Sequence, residues 1–361
     1  MKNVLITGGA GFIGSNFVRY LLRTESEVKI VDLDALTYAG SLENLKDLPD
    51  AERHRFVRGD IGDRSLVDRL LHEEEIDTVV HFAAETHVDR SILGPAKFLE
   101  TNVLGTLTLL EATRQYWLDE GSFSQDQVRF HHISTDEVFG SLKPSDPPFM
   151  EMTPYSPNSP YAASKAAADH LVRSYGHTYG LPYSITNCSN NYGPHQFPEK
   201  LIPLMISNAM QGLPLPIYGD GAQIRDWLYV EDHCEAIVKV IRSGVPGETY
   251  IIGGNNQPTN LVVVNTLCEI LDECLPDSKY RPHESLIQFV TDRPGHDRRY
   301  AMNISKISSE LGWQPSSSLS EGLLRTALWY IEHQDWVDII REKGDYQTWI
   351  VKNYDERGGT E

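Results

Sequence analysis

Short apolar runs alternate with longer segments of helical periodicity through the first half of the chain. Apolar runs typical of strands lie at residues 3–7, 28–33, 78–83, 128–134 and 183–188. Segments with helical spacing lie at residues 12–22, 63–74, 97–117 and 161–179. This alternation predicts an α/β protein with a Rossmann-type, doubly wound parallel sheet.

The pattern changes after residue 193. Prolines predict loops and short elements over residues 194–218 and again over 276–295. Between them, strand, helix and strand patterns at 226–230, 231–243 and 249–252 predict a return to the large domain. We therefore expect discontinuous domains, with a large domain of residues 1–193 and about 224–257, and a smaller, mixed α/β C-terminal domain of residues about 194–223 and 258–361.

Composition excludes several classes of function. The 361 residues include 32 Lys and Arg against 51 Asp and Glu, and the net charge of −19 repels phosphate backbones, so we expect no nucleic acid partner. The apolar runs are much shorter than the roughly 20 residues of a membrane span, so we expect no membrane association and a cytoplasmic location. The four cysteines form no CxxC pair and indicate neither a metal site nor a disulfide framework.

Gly8, Gly11 and Gly14 lie between the first predicted strand and the first predicted helix. Glycines at this junction permit a tight turn, close approach of the backbone to a pyrophosphate, and close packing of helix on sheet. No Lys-Ser or Lys-Thr pair follows them, which excludes a Walker P-loop. The motif predicts a dinucleotide site, and an ordinary glycine-rich turn is the alternative.

Two carboxylates lie near the end of the second predicted strand, at Asp32 and Asp34. A carboxylate there accepts hydrogen bonds from the adenosine ribose and repels a 2′-phosphate, which favours NAD over NADP. The sequence does not decide between the two, and an Asp at a strand end often caps a turn instead. Asp60 and Ile61, after the next strand, are candidates for the adenine end.

Tyr161 and Lys165 are one turn apart on the helix that begins after Pro160. A neighbouring ammonium and the positive end of a helix dipole both lower the pKa of a phenol, which suggests that Tyr161 acts as a base. The YxxxK pattern also occurs by chance in helices, and it gains weight only because it follows a dinucleotide fold.

Thr135, Asp136 and Glu137 follow a predicted central strand, where they place a hydroxyl and two carboxyl groups at the ligand-binding edge of the sheet. Two carboxyls whose surroundings separate their pKa values can take opposite proton-transfer roles, one protonated and one ionised. The alternative is capping of the strand end together with surface charge.

Seven segments carry a family resemblance: TGGAGFIGS (7–15), FAAETHVDRS (82–91), ISTDEVFG (133–140), YAASK (161–165), NCSNNYGP (187–194), IRDWLYVEDH (224–233) and DRPGHDRRYA (292–301). Over essentially its whole length the chain resembles the extended short-chain dehydrogenase/reductases, and within them the nucleotide-sugar 4,6-dehydratases. The Thr-Asp-Glu triplet distinguishes between members of this superfamily, because the resemblance implies that 4-epimerases lack the acid pair. GDP-mannose dehydratases have Ser in place of the Asp, and CDP-glucose dehydratases have Lys in place of the Glu.

The resemblance implies NAD as cofactor, dTDP-glucose as substrate and a role in deoxysugar biosynthesis. Tyr161 would take the C4 hydroxyl proton as C4 is oxidised, with Lys165 on the nicotinamide ribose and Thr135 on the reacting hydroxyl. Glu137 would then remove the C5 proton and Asp136 would protonate the departing C6 hydroxyl. Return of the hydride to C6 would give dTDP-4-keto-6-deoxyglucose and regenerate NAD⁺.

The resemblance also implies two sets of binding residues. The cofactor set comprises Gly8, Gly11, Phe12, Ile13, Gly14, Asp34, Thr37, Asp60, Ile61, Ala83, Ala84, Thr101, Tyr161, Lys165 and Asn191. The nucleotide-sugar set, most of it in the smaller, substrate-binding domain, comprises Thr86, Thr135, Asn190, Lys200, Leu201, Pro216, Ile217, Tyr218, Arg225, Asn256 and His296. Arg225 would supply the positive charge for the diphosphate.

A homodimer is expected by the same resemblance, with the helices near 97–117 and 161–179 of each subunit forming a four-helix bundle. Two alternatives remain open. Another nucleotide-sugar 4-epimerase or dehydratase would not need Asp136 and Glu137 together. A non-catalytic NAD-binding sensor would not need Tyr161, Lys165 and the acid pair.

Overall fold

The computed structural model describes residues 1–292 and 297–342. Its strands are β1 (Asn3–Thr7), β2 (Lys29–Asp34), β3 (His54–Arg58), β4 (Thr78–His81), β5 (Arg129–Thr135), β6 (Tyr183–Cys188), β7 (Asn190–Tyr192), β8 (Leu215–Tyr218), β9 (Trp227–Tyr229), β10 (Thr249–Ile252) and β11 (Ile287–Val290). Its α-helices are α1 (Phe12–Thr24), α2 (Arg64–Glu73), α3 (Val88–Leu93), α4 (Pro95–Leu99), α5 (Thr106–Arg114), α6 (Pro160–Tyr179), α7 (Leu201–Gln211), α8 (Val230–Ser243), α9 (Asn260–Cys274), α10 (Ser305–Leu311), α11 (Leu319–Glu332) and α12 (Gln334–Glu342).

Seven of the described strands form one parallel sheet, in the order β10-β6-β5-β4-β1-β2-β3. The order reverses beside β1, which pairs with β2 on one side and β4 on the other. Ligands bind where the strand order of such a sheet reverses, at the carboxyl ends of the strands. The predicted Rossmann-type parallel sheet is confirmed.

Apolar side chains cover both faces of this sheet. Val4 and Ile6 of β1 pack with α1 and α8, whereas Leu5 between them packs with α2, α5 and α6. Because successive side chains of a strand point to opposite faces, the sequence of a strand buried on both sides is a continuous apolar run. This explains why β1, β2, β4, β5, β6 and β10 were recognisable in the sequence. The edge strand β3, which has no fully buried residue, was not among the strands predicted from apolar runs.

A second apolar core lies in the smaller unit. It is formed mainly by α7, α9, α11 and α12, with Met205, Leu267, Leu323 and Val337 among its buried members. Beside it, β8 and β11 form a parallel pair. The smaller unit is therefore mixed α/β, as predicted, while the exact domain boundaries stay a prediction.

Three details of the predicted elements were wrong. Residues 194–218 contain α7, which accommodates Pro203 because the first turn of a helix does not need that residue's N–H group. The helix predicted at 97–117 begins at Pro95 and contains π-helical turns at Glu100–Gly105 and Gln115–Asp119. Of the elements predicted to rejoin the large domain, α8 and β10 do so, but β9 pairs with β7 outside the large sheet.

In the described ranges, we find no helix with both the length and the apolar character that a bilayer span requires.

Candidate active site

A cavity opens at the carboxyl edge of the large sheet and extends to the smaller unit. Its walls include the turn after β1, Asp34 at the end of β2, Thr135 at the end of β5, and the first turns of α6. Lys200, just before α7, lines the same cavity. Residues from most of the quoted sequence motifs therefore meet at one place.

The cofactor set lines this cavity in full. From the nucleotide-sugar set, the cavity walls include Thr86, Thr135, Asn190 and Lys200. Those that do not line it are Leu201, Pro216, Ile217, Tyr218, Arg225 and Asn256. His296 lies outside the described residues. The binding role of each residue stays a prediction.

Two of the outlying residues are engaged elsewhere. The Arg225 guanidinium donates to the carbonyl oxygens of Ile224 and Asp297, both at 2.8 Å, and lies over the Tyr300 ring. Ile217 is buried in the second core. For Arg225 to reach a diphosphate, these contacts would have to rearrange.

The glycine turn is shaped by backbone contacts. Gly8 has a φ of +77°, and a Cβ atom there would lie 2.7 Å from the Ala83 nitrogen. A Cβ atom at Gly14 would lie 2.2 Å from the Gly8 carbonyl oxygen. The turn therefore leaves the start of α1, with Phe12 and Ile13, at the cavity wall, where free N–H groups of a helix terminus suit a pyrophosphate.

Asp32 and Asp34 have different surroundings. Asp32 is fully buried beneath the turn, where it accepts a hydrogen bond from the Gly9 N–H at 3.0 Å. Asp34 accepts from the Ala10 and Leu36 N–H groups at 3.0 and 2.7 Å and also lines the cavity. Burial raises the pKa of Asp34 to about 6. Of the two carboxylates, only Asp34 lines the cavity, while Asp32 accepts a hydrogen bond from the turn.

Tyr161 and Lys165 both line the cavity from α6. The helix starts with Pro160 at its first position, and the Ser159 hydroxyl caps it by accepting the Ala162 N–H at 3.1 Å. Lys165 Nζ donates to the Ile133 carbonyl oxygen at 2.8 Å. Burial lowers the pKa of Lys165 from 10.5 to about 8, against the opposing charge of Asp169.

The expected lowering of the Tyr161 pKa is wrong for the protein by itself. Burial, followed by the charge of Glu137, raises the pKa of Tyr161 well above its ordinary value. The Thr135 side chain, by hydrogen bonding, opposes this shift only in part. A phenol in these surroundings gives up its proton only when further positive charge is nearby.

The acid pair faces the cavity. Thr135 Oγ1 donates to Asp136 Oδ1 at 3.2 Å and accepts the Glu137 N–H at 3.3 Å. Asp136 is 2% exposed, and burial together with the neighbouring Glu137 raises its pKa well above the ordinary value. Burial therefore favours the protonated form of Asp136, which the alternative of simple surface charge does not explain.

A buried polar cluster supports Lys165 from behind. Asp169, one turn further along α6, accepts from Ser134 Oγ and the Tyr155 hydroxyl, both at 2.8 Å. His132 Nε2 lies 3.2 Å from the other oxygen of Asp169. Since Ser134 and His132 belong to β5, the cluster fixes α6 against the strand that carries the acid pair.

Several cavity residues were missed in the sequence. They include Tyr38, Asn44, His195, Phe197, Glu199 and Trp336. Glu199 pairs with His87 at 3.0 Å, and the Arg90 guanidinium lies 4.0 Å from the Tyr38 ring centroid. Isolated residues of this kind carry no spacing signal, and only folding brings them to the cavity.

Known proteins resemble the chain over nearly all of its length. The family model described as GDP-mannose 4,6 dehydratase matches residues 5–326. A dTDP-glucose 4,6-dehydratase of Xanthomonas campestris pv. campestris (strain B100) is 55% identical over 347 residues, which cover 96% of this chain and 98% of that protein. The chain belongs to the dTDP-glucose 4,6-dehydratase family.

Solved members of the family share the fold. The crystal structure of dTDP-glucose 4,6-dehydratase from Bacillus anthracis in complex with NAD is 44% identical, with a TM-score of 0.82, and covers 94% of this chain and 100% of that chain. The enzyme from Streptomyces venezuelae, solved with NAD and dTDP bound, is 46% identical, with a TM-score of 0.83 and coverage of 94% and 99%. The resemblance inferred from the sequence motifs is confirmed.

Proposed function

We infer that this protein is a hydro-lyase that converts dTDP-glucose to dTDP-4-keto-6-deoxyglucose and water, with NAD as its cofactor. The observation that carries this function is the meeting of Tyr161, Asp136 and Glu137 in the cavity that contains the glycine turn. A 4-epimerase would not need both acids, and a non-catalytic sensor would not need the tyrosine.

The cavity fits NAD. A side chain on Gly8 or Gly14 would fill the cradle at the start of α1, and Asp34 lies beside it for the ribose. When bound, NAD would supply reversible oxidation, accepting a hydride from C4 of the sugar and returning it to C6. Lys165 would hold the nicotinamide ribose.

Tyr161 would accept the C4 hydroxyl proton in the first step. Its raised pKa means that the proton transfer needs positive charge nearby. The Lys165 ammonium, one helical turn away on α6, would provide part of it. Thr135, in contact with both Tyr161 and Asp136, would orient the reacting hydroxyl.

The elimination step would use the acid pair. A carbonyl at C4 makes the C5 hydrogen acidic, because the carbanion is delocalised into the carbonyl. Glu137 would remove this proton as the C5–C6 double bond forms and the C6–O bond breaks. Asp136, whose protonated form is favoured by burial, would protonate the leaving hydroxyl so that it departs as water. Glu137 would return a proton to C5 when the hydride reaches C6, which completes the product.

Assembly and location are part of the proposal. We expect a homodimer in which the helices of residues 95–119 and α6 form a four-helix bundle. Exposed Leu99 and Leu104 on the first segment and exposed Ala163 on α6 support this arrangement. A cytoplasmic location is supported by the four cysteines, all of which are free thiols.

The proposal is tested by incubating the purified protein with dTDP-glucose and, separately, with UDP-, CDP- and GDP-sugars. Mass spectrometry should show the loss of one water from dTDP-glucose alone. Tyr161→Phe, prepared in parallel, should abolish the reaction with folding and bound NAD unchanged, which excludes a contaminating enzyme. Unaltered dTDP-glucose with the wild-type protein would refute the assignment.

A further inference from the structure

The helix α12 reaches the cofactor cavity from the opposite end of the chain. Trp336 and Ile340 of this helix line the cavity together with the glycine turn and Asp34. Both side chains are buried. Neither belongs to a sequence motif, and neither was among the predicted cofactor residues.

Two hydrogen bonds connect α12 to the glycine turn. Trp336 Nε1 donates to Asn44 Oδ1 at 2.9 Å, and Asn44 Nδ2 donates to the Ala10 carbonyl oxygen at 2.8 Å. Ala10 lies between Gly8 and Gly14, inside the turn that would receive the pyrophosphate. Asn44 is itself buried, and its main-chain carbonyl oxygen accepts a 3.0 Å hydrogen bond from the Arg19 guanidinium of α1. The position of α12 is therefore coupled to the part of the cavity that the cofactor needs.

The helix α12 also belongs to the second core. Val337 is fully buried there, and the Trp336 ring packs edge-to-face against Trp329 of α11, with ring centroids 5.1 Å apart. The helix thus bridges the two units, because Trp336 and Ile340 belong to the second core and also line the cavity. Its apolar side chains exclude water from this wall without offering a reacting group.

We propose that α12 is a retaining wall for NAD, in which Trp336 and Ile340 close the cavity beside the glycine turn and the Trp336–Asn44 hydrogen bond holds the wall in place. The inference rests on the proposed function only for the identity of the ligand. Because NAD is regenerated in each turnover, slow release of the cofactor does not limit the reaction. A wall supplied by the smaller unit would therefore keep the protein loaded between turnovers.

Trp336→Phe tests the hydrogen bond, because it keeps an aromatic ring and removes the N–H donor. NAD-loaded protein is passed through a desalting column, and the NAD that remains bound is measured over time. We expect release about fivefold to tenfold faster than from the wild type, as for the loss of one buried hydrogen bond. Trp329→Phe is the matched control, since Trp329 is in the same aromatic cluster but does not line the cofactor cavity, and its release rate should equal that of the wild type.

Equal release from the two variants would overturn the proposal. If circular dichroism shows that Trp336→Phe does not fold, Ile340→Ala is tested in its place. We expect Ile340→Ala to release NAD faster than the wild type, and an unchanged release rate would overturn the retaining wall. The assay measures bound NAD and not turnover, so it tests the retaining wall independently of the proposed function. If the wild type binds NAD and turns over dTDP-glucose, but the variants release NAD at the wild-type rate, only the retaining wall is refuted. If the wild type does not turn over dTDP-glucose, the proposed function is refuted.

Discussion

Asp136 and Glu137 are adjacent in the chain but differ in their surroundings. Asp136 is enclosed and holds a hydrogen bond from Thr135, whereas Glu137 is half-buried at the cavity wall. The raised pKa of Asp136 supports its proposed role as the proton donor, with Glu137 as the proposed base.

Replacement of Glu137 should separate oxidation from elimination. In Glu137→Gln the group that removes the C5 proton is lost, but Tyr161 and Lys165 are untouched. We expect turnover to fall by about 10²- to 10⁴-fold, the usual contribution of a general base. Rapid-mixing absorbance should show reduced NAD accumulating when dTDP-glucose is added. Formation of product at the wild-type rate would remove Glu137 from this step.

The charge state of Lys165 predicts a pH dependence. With its pKa lowered to about 8, Lys165 carries its ammonium below that pH and loses it above. Loss of the ammonium should therefore make single-turnover reduction of bound NAD fall by about tenfold per pH unit above about pH 8. A rate that stays constant well above that pH would contradict the prediction.

The groups around Lys165 allow this pH dependence to be assigned. They include Asp169 on α6, His132 on β5, His81 on β4 and Cys188 on β6. Burial lowers the pKa values of both histidines and raises that of Cys188, so Asp169 is the charged member of the group at neutral pH.

Asp169→Asn should move the fall in rate to lower pH, because it removes the negative charge that favours the Lys165 ammonium. Tyr155→Phe is the control, since it removes one hydrogen bond to the same carboxylate but keeps the charge. The measurement is the same single-turnover titration. Equal profiles for Asp169→Asn and the control would indicate a purely structural role for the carboxylate.

At the scale of elements, the turn between β1 and α1 is determined by how closely backbone segments approach. Gly8 lies against the end of β4, and Gly14 of α1 lies against Gly8 and Gly9. The strand, the turn and the helix therefore form one packed unit. A side chain at Gly14 would push this unit apart at the place where the pyrophosphate is expected.

Gly14→Ala should weaken both folding and NAD binding. The new Cβ atom would contact backbone atoms that cannot move independently, with an expected loss of about 1–3 kcal/mol in the free energy of unfolding. Gly247→Ala is the control, because its Cβ atom meets nothing within 4 Å although its φ is +90°. We expect it to cost about 1–2 kcal/mol of stability and to leave NAD binding unchanged. Denaturant unfolding and NAD titration measure the two effects, and equal NAD affinity in both variants would refute the argument.

At the scale of the whole molecule, one segment carries a group of exposed apolar side chains. Ile92, Leu93, Leu99 and Leu104 are each more than half exposed. They lie on α3, α4 and the π-helical turn that follows, next to α6. An exposed apolar surface of this kind is typical of an interface between proteins, which supports the proposed homodimer.

Leu104→Glu should convert the proposed dimer to a monomer, because a carboxylate would be buried without a partner at the interface. Val245→Glu, at a similarly exposed apolar residue in the turn before β10, should leave the dimer intact. Light scattering after size-exclusion chromatography gives the mass of each species. A Leu104→Glu variant with the same mass as the wild type would exclude this segment from the interface.

The sequence by itself determined the parallel sheet, the glycine turn, α6 and the family. These features have local signals: apolar runs for buried strands, a helical period for the helices, and motifs whose residues are close together in the chain. For this reason β1, β6, β10 and α6 match their predicted positions to within one residue.

Only the tertiary structure decided which residues share the cavity and which of them are charged. Asp34 lines the cavity while Asp32 lies under the turn, and Trp336 donates a hydrogen bond to Asn44, which is 292 residues away in the chain. The sequence predicted that the neighbouring lysine lowers the pKa of Tyr161, but in the folded protein burial raises it. These outcomes depend on burial and on contacts between distant segments, and neither is encoded in the spacing of nearby residues.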